Sequence, residues 1–240
     1  MILVISKNYL LIIPILFLIL YFGAGIFYDP KYVFFIKPFI IPTFMIYAIV
    51  TNYKMLTLNY LLFTFFFYLG EIFILFGYNS EISMQIGLIS LVFCYTFLVF
   101  LSKSKLKSNK LDTFFQGFTL IVFLLNCLVL SIILFVLLEQ IPDFLTDIIV
   151  VFNAISAVIV GVVSVLYLSS GVSTAAFLYF FGSYTLIMND VISALETYYF
   201  ESIVLNSIAR ILHFVAFYLI YLFAIQNKVT IKGFPQKTLT

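Results

Sequence analysis

Charged residues are scarce in this chain of 240 amino acids, where they make up 9% and hydrophobic residues make up 65%. A soluble domain carries about 25% charged residues, because its folded surface must face water. The mean hydropathy of +1.23 agrees with that deficit. These values argue against a soluble globule, and the absence of any long polar stretch predicts one transmembrane domain over residues 1–240.

Histidine, cysteine and tryptophan are also rare: the chain has one histidine, two cysteines and no tryptophan. One histidine is too few for the three-histidine zinc site of some intramembrane hydrolases. Cys94 and Cys127 fall within apolar runs, where buried thiols are expected and a structural disulfide is not. The sequence shows no nucleotide, flavin or haem motif, so we expect neither a metal nor a cofactor.

The hydrophobic residues fall into eight runs, each close to the 20 residues that a transmembrane helix needs. Turn residues such as Asp29-Pro30 and Pro142-Asp143 separate them. The first run follows Lys7 and is long for a signal peptide, so we expect it to remain as a span. The fold class is thus an all-α bundle of eight transmembrane helices, predicted at Tyr9–Phe27, Val33–Val50, Met55–Phe76, Met84–Leu101, Thr113–Leu138, Leu145–Leu168, Val172–Leu195 and Ile203–Ile225.

Lysine is distributed unevenly between the two sides of this bundle. One side collects Lys7, Lys54, the run Lys103–Lys110, Lys228, Lys232 and Lys237, whereas Lys31 is the one loop lysine of the acidic opposite side. The positive-inside rule then places both termini in the cytoplasm, and we expect the cytoplasmic membrane of a bacterium. The lysine run is interpreted as a loop beside anionic lipid headgroups, not as a nucleic-acid patch.

Five ionisable residues lie inside the predicted spans, where each costs about 2.5–3.5 kcal/mol on insertion scales. Such residues usually have a function. With the orientation above and a rise of 1.5 Å per residue, all five fall within about 6–15 Å of the outer boundary. They are Lys37, Glu71, Asp190, Arg210 and His213.

The polar faces of these spans are expected to point into the bundle, because lipid would leave them unpaired. Asn206, Arg210 and His213 follow an i, i+4, i+7 spacing and share one face, predicted to look toward Lys37 and Glu71. Structural roles stay open for several. Lys37 could extend its amine to the interface, Arg210 could neutralise an acid, and His213 could be a packing residue. Asn126 and Asn153 are interpreted as interhelical hydrogen-bonding residues.

Three dipeptides in these spans resemble motifs of one family. Lys37-Pro38, Gly70-Glu71 and Asn189-Asp190 are similar, in order and depth, to the Lys-Pro, Gly-Asp and Ser-Asp motifs of the YhhN family of eight-span membrane proteins. Two departures stand out. Glu71 replaces the family's Asp, and Tyr95 stands where the fourth span of the family usually carries a His, so Tyr95 is expected to line the site.

The resemblance implies a lysoplasmalogenase, which hydrolyses the vinyl ether bond of a lysophospholipid. That reaction needs one protonated acid and one carboxylate, and two acids in a low-dielectric layer could supply them. We expect Glu71 and Asp190 to be the catalytic pair. Lys37 and Arg210 would bind the headgroup phosphate. The remaining substrate-binding candidates are His213, Tyr95 and Asn189.

Two other classes of function remain open. Intramembrane acids and bases also serve small transporters and proton-coupled carriers. No inverted repeat is evident, however, and the charged layer lies near one face and not at the midplane. The departures at Glu71 and Tyr95 would also fit a non-catalytic relative that acts as a membrane partner subunit.

Overall fold

The computed structural model describes residues 11–27, 30–77, 80–103, 113–139, 143–171, 173–199 and 202–232, some of them, including Lys37 and Pro38, by backbone alone. All regular structure in these ranges is helical, as predicted, and a short 3-10 turn at Tyr53–Met55 separates the second helix from the third. The helices are α1 (Ile12–Phe27), α2 (Pro30–Asn52), α3 (Leu58–Gly77), α4 (Glu81–Lys103), α5 (Thr113–Leu138), α6 (Phe144–Ser169), α7 (Thr174–Tyr198) and α8 (Ile203–Lys232).

Five of these helices, α3, α4, α6, α7 and α8, are long and apolar enough to cross a bilayer. α1 and α5 contain shorter apolar stretches, Ile12–Gly23 and Thr119–Phe135. Large apolar side chains such as Leu128 and Phe135 stand exposed on the outside of the bundle. Five apolar helices with such a surface indicate a multi-pass integral membrane protein.

Most helices extend beyond the predicted spans. α2 begins at Pro30, three residues before the predicted start, and α8 continues to Lys232. Hydropathy marks the apolar part of a span, whereas a helix continues until its backbone is capped or broken. The bounds of α5 agree with the prediction. The predicted third span starts too early, because Met55 belongs to the 3-10 turn and α3 begins at Leu58.

Two antiparallel helix pairs, α3 with α4 and α7 with α8, have the most extensive contacts. Glycine permits both approaches. A Cβ atom on Gly87 would come within 2.6 Å of a side-chain carbon of Ile74 and 2.9 Å of its backbone nitrogen, and Gly70 lies against the Gly87 carbonyl. On the other pair, a Cβ on Gly182 would lie 2.9 Å from Ile220. Small residues bring transmembrane helices together in this way, because the lipid supplies no hydrophobic force between them.

Aromatic rings fill much of the space between α2, α3, α7 and α8. Phe44 of α2 contacts Tyr221 edge-on, with ring centroids 5.7 Å apart. Phe63 of α3 stacks on Phe217 at 5.2 Å. Tyr179 of α7 packs against Phe223 at 4.9 Å. These rings, almost fully buried, set α8 against three neighbours and so fix the direction of its polar face.

Candidate active site

An ion pair joins α3 to α8 within the bundle. Arg210 donates a hydrogen bond from Nη1 to Oε2 of Glu71 at 3.1 Å. The Arg210 side chain is 8% exposed and that of Glu71 is 16% exposed, so water screens the pair little. A guanidinium in this position gives Glu71 a charged partner of opposite sign. Of the roles that the sequence left open for Arg210, the structure shows the neutralisation of an acid.

Further polar groups extend this pair toward α1 and α7. The Tyr21 hydroxyl donates to Oδ1 of Asn206 at 2.6 Å, and Cζ of Arg210 lies 5.9 Å from the centre of the Tyr21 ring. Asn206 in turn donates to Oε1 of Glu196 at 3.4 Å. We name Glu71, Arg210, Tyr21, Asn206 and Glu196 the ion-pair cluster.

Asp190 of α7 lies at a second polar contact, with α4. The Tyr95 hydroxyl donates to Oδ2 of Asp190 at 2.5 Å. Oδ1 accepts a bond of 3.1 Å from Nδ2 of the neighbouring Asn189. Tyr95 is 1% exposed and Asn189 is 2% exposed. We name these three residues the carboxyl cluster.

The two clusters are electrically coupled. Asp190 interacts with the charges of both Glu71 and Arg210. The charges of Glu71 and Arg210 are therefore close enough to influence Asp190, although each acid has its own hydrogen-bond partners. Tyr95 lies two turns after Gly87 on α4. Because side chains in a helix lean toward its N-terminus, the long Tyr95 side chain can reach Asp190 of α7.

A small cavity of about 80 Å³ borders the carboxyl cluster. Asp190, Tyr95 and Asn153 form its polar part, and apolar residues of α5, α6 and α7 form the rest. The cavity lies beside α4, α5, α6 and α7, whereas the ion pair of Arg210 with Glu71 joins α3 to α8.

The remaining predicted site residues are placed as follows. His213 lies one turn from Arg210 and is 4% exposed. Its ring centre is 4.6 Å from that of Phe67 and 5.1 Å from that of Phe217, so it packs within the aromatic rings. The Lys37 side chain lies outside the described residues. Asn126 bonds the Tyr184 hydroxyl at 3.0 Å, which confirms its interhelical role.

Three residues of the two clusters and the cavity carried no clear sequence signal. Tyr21 is one aromatic among many in an apolar run, and its contact with Arg210 depends on helix packing. Glu196 was expected as an acid of the outer loop. Asn153 was interpreted as a bridge between helices, yet its buried Oδ1 has no hydrogen-bond partner in the part of the chain that the structure describes, and its side chain borders the cavity. An amide in the middle of an apolar run was the one hint.

Comparison of the chain with protein-family models, curated proteins and solved structures returned no match. The chemistry of the site must therefore be argued from its own residues. These are the Glu71 carboxylate, which pairs with the Arg210 guanidinium, and the Asp190 carboxylate, which accepts a hydrogen bond from the Tyr95 phenol. Among the residues that the structure describes, no three His, Cys, Asp or Glu side chains lie together as metal ligands would.

Proposed function

We propose that all eight helices cross the cytoplasmic membrane of a bacterium and that both termini face the cytoplasm. The support is the distribution of lysine, which lies almost entirely on one side of an eight-span arrangement. In that orientation Glu71 and Asp190 lie in the half of the bundle nearer the outer leaflet. A lysolipid would meet them there.

We infer that the chain is a lysoplasmalogenase-like hydrolase of the YhhN type, and that Glu71 and Asp190 carry the reaction. The observation behind this proposal is that two acids from α3 and α7 share one electrostatic environment, while a cavity borders one of them. Pairs of carboxyl groups with different surroundings can divide the roles of acid and base. The surroundings differ here, because Arg210 holds Glu71 whereas Tyr95 and Asn189 hold Asp190.

The reaction consumes one water molecule. A proton adds to the outer carbon of the vinyl ether, and the electron pair of its double bond forms the new C–H bond. The inner carbon becomes an oxocarbenium ion. Water adds to that carbon and loses a proton to a base, giving a hemiacetal, which breaks its bond to the glycerol oxygen. The products are a fatty aldehyde and a glycerophospho-headgroup, and the proton used at the start is regained.

Asp190 would deliver the first proton, because it is the acid that borders the cavity. The Tyr95 hydroxyl, which donates to Asp190 at 2.5 Å, would hold the group in position. Glu71 would stabilise the oxocarbenium ion by its negative charge, as the second carboxylate does in glycosidases. Arg210 would orient Glu71, and Lys37 remains the candidate for the headgroup phosphate.

Aldehyde release from a 1-alkenyl lysophospholipid by the purified protein, without an ion gradient, tests the proposal. Asp190→Asn and Glu71→Gln should each lower the rate at least a hundredfold, since a neutral amide neither donates the proton nor stabilises the cation. Glu71→Asp keeps the charge beside Arg210 and should retain part of the activity. Glu81→Gln removes an exposed acid at the start of α4 and serves as the matched control.

Full activity of Asp190→Asn or Glu71→Gln would remove that residue from the mechanism. An inactive wild-type protein that instead takes up a solute in response to a proton gradient would replace the hydrolase with a carrier. If neither activity is found with folded protein, the hydrolase proposal fails and the partner-subunit interpretation gains support.

A further inference from the structure

The cavity beside Asp190 has a composition that restricts what can occupy it. Asp190, Tyr95 and Asn153 are its polar lining residues, and no lysine or arginine is among the described residues that line it. The apolar wall consists of Leu130, Ile133, Leu134, Leu137, Val150, Ala154, Ala157, Ile187, Val191 and Ala194. A phosphate there would be surrounded mainly by apolar side chains with no cation beside it, which makes the cavity unfavourable for a headgroup.

The polar end of the cavity offers hydrogen bonds to an uncharged oxygen. The Oδ1 atom of Asn153 is buried and has no hydrogen-bond partner among the described residues. Such an atom costs free energy unless a ligand or water fills the vacancy. Asn153 and Asp190 lie on different helices, α6 and α7, and both face the same small space. A hydroxyl between them could donate its hydrogen to Oδ1 of Asn153 and accept one from a protonated Asp190, and a hydrated carbonyl could do the same.

The helix α5 packs unevenly against the two helices beside it. α5 packs mainly against α6 and meets α7 at only a few positions. Its other faces carry exposed leucine and isoleucine, and four residues of its C-terminal half line the cavity. A volume of about 80 Å³ is too small for a whole aliphatic chain, so only its polar end and the adjoining methylene groups would enter. The rest of an aliphatic chain would therefore remain between α5 and α7.

We propose that this cavity binds the oxygen-bearing end of a single aliphatic chain in uncharged form, with Asn153 as a binding residue, and that the chain enters between α5 and α7. The inference builds on the proposed hydrolase, because the hydrated fatty aldehyde and the hemiacetal of its reaction carry a hydroxyl that can donate to Oδ1 of Asn153. The charged headgroup would then lie outside the cavity. Binding of a fatty alcohol, which is not hydrolysed, tests the inference without any turnover.

The absence of tryptophan from the chain makes a clean optical test possible. Leu134→Trp would place the one tryptophan of the chain in the cavity wall on α5. Leu128→Trp would place it on the same helix at a position that is 59% exposed. Both variants are reconstituted in liposomes of unbrominated phosphatidylcholine and titrated with 2-bromohexadecan-1-ol, whose bromine quenches tryptophan at short range beside the hydroxyl group.

Saturable quenching of Leu134→Trp, together with linear quenching of Leu128→Trp, is the expected result. Unbrominated hexadecan-1-ol should reverse the saturable part, and hexadecanoate should not, because its carboxylate would lie against Asp190. Adding Asn153→Leu to Leu134→Trp should raise the alcohol concentration at half-saturation about tenfold, as the loss of one hydrogen bond in a dry site predicts. Ala154→Phe should fill the cavity and abolish saturation, whereas Ile155→Phe, exposed on the same helix, should not.

Parallel linear quenching of the two tryptophan variants would overturn the inference, as would equal binding of 1-bromohexadecane, which lacks the hydroxyl. Unchanged half-saturation in Asn153→Leu would remove that residue from the site. The two proposals can fail separately. Saturable binding without aldehyde release supports the cavity alone, and aldehyde release without saturable binding supports the hydrolase alone.

Discussion

The ion-pair cluster and the carboxyl cluster each contain an acid inside an apolar bundle, but they keep it in different ways. Glu71 has a guanidinium partner 3.1 Å away, and neighbouring polar groups from α1 and α7 extend the network. Asp190 has neutral partners, a phenol and an amide, and it borders a cavity. A charged partner keeps an acid ionised and in a fixed position, whereas an acid with neutral partners beside open space can contact a ligand directly.

This comparison predicts a large difference in stability. Arg210→Met leaves Glu71 buried without its cation, which should cost about 3–5 kcal/mol of unfolding free energy. Asp190→Asn keeps a group that can accept from Tyr95, and it should cost less than about 1.5 kcal/mol. Unfolding in mixed detergent micelles measures both. The double variant Glu71→Gln/Arg210→Met should recover part of the loss, and equal losses for Arg210→Met and Asp190→Asn would erase the distinction.

The sequence predicted that the acids and the arginine of both clusters would find polar partners inside the bundle. Charged residues inside apolar runs must find partners, so Glu71, Asp190 and Arg210 were expected on inward faces. Which helix lies opposite which face is a different question. Periodicity identifies a polar stripe but not its neighbour, and the neighbour depends on close approaches such as that of Gly70 to Gly87. The pairing of Arg210 with Glu71, and not with Asp190, was therefore one of two expected outcomes.

The cavity could not be predicted at all, because it results from imperfect packing of apolar side chains. Leu130, Leu134 and Leu137 look like any other leucines of a span. Nothing in their spacing shows that α5 stands slightly away from α7. Tyr21 is similar, since its hydroxyl reaches Asn206 only after α1 has docked on α8. Residues whose roles arise from tertiary contacts leave no local pattern.

A second test concerns the glycine contact between α3 and α4, the helices that carry Glu71 and Tyr95. Gly87→Ala would drive a methyl group into the backbone and side chain of Ile74, and we expect a loss of about 1–3 kcal/mol. The shift should also separate the two clusters and lower aldehyde release. Gly117→Ala on α5 is the control, because open space surrounds it and alanine favours a helix by about 0.5–1 kcal/mol. Similar behaviour of the two variants would contradict the close approach.

A third test compares two tyrosines that each make one interhelical hydrogen bond. Tyr95→Phe and Tyr184→Phe should both cost about 1 kcal/mol or less, the usual size of such bonds in membranes. Their effects on chemistry should differ. Tyr95→Phe removes the phenol beside Asp190 and should lower aldehyde release at least tenfold, whereas Tyr184→Phe should change it less than twofold. Equal rates in the two variants would assign Tyr95 a structural role only.

The smallest effect is expected from an acid outside both clusters, at the start of α6. The Thr146 hydroxyl and backbone N–H both donate to Asp143, at 2.8 and 2.9 Å, and Gln85 of α4 donates to it at 2.9 Å. These bonds, those from Thr146 first, hold the pKa of Asp143 below its usual value of 3.8. A lowered pKa means that the stabilisation is complete above about pH 4 and disappears as the pH falls through the pKa of the folded state.

Asp143→Asn, which can still cap the helix, should remove that acid dependence from unfolding curves, and Glu81→Gln should leave it unchanged. An unaltered unfolding curve for Asp143→Asn would show that hydrogen bonds to an acid do not by themselves stabilise the fold here. The difference in stability predicted between the two clusters would then come from the Arg210 charge.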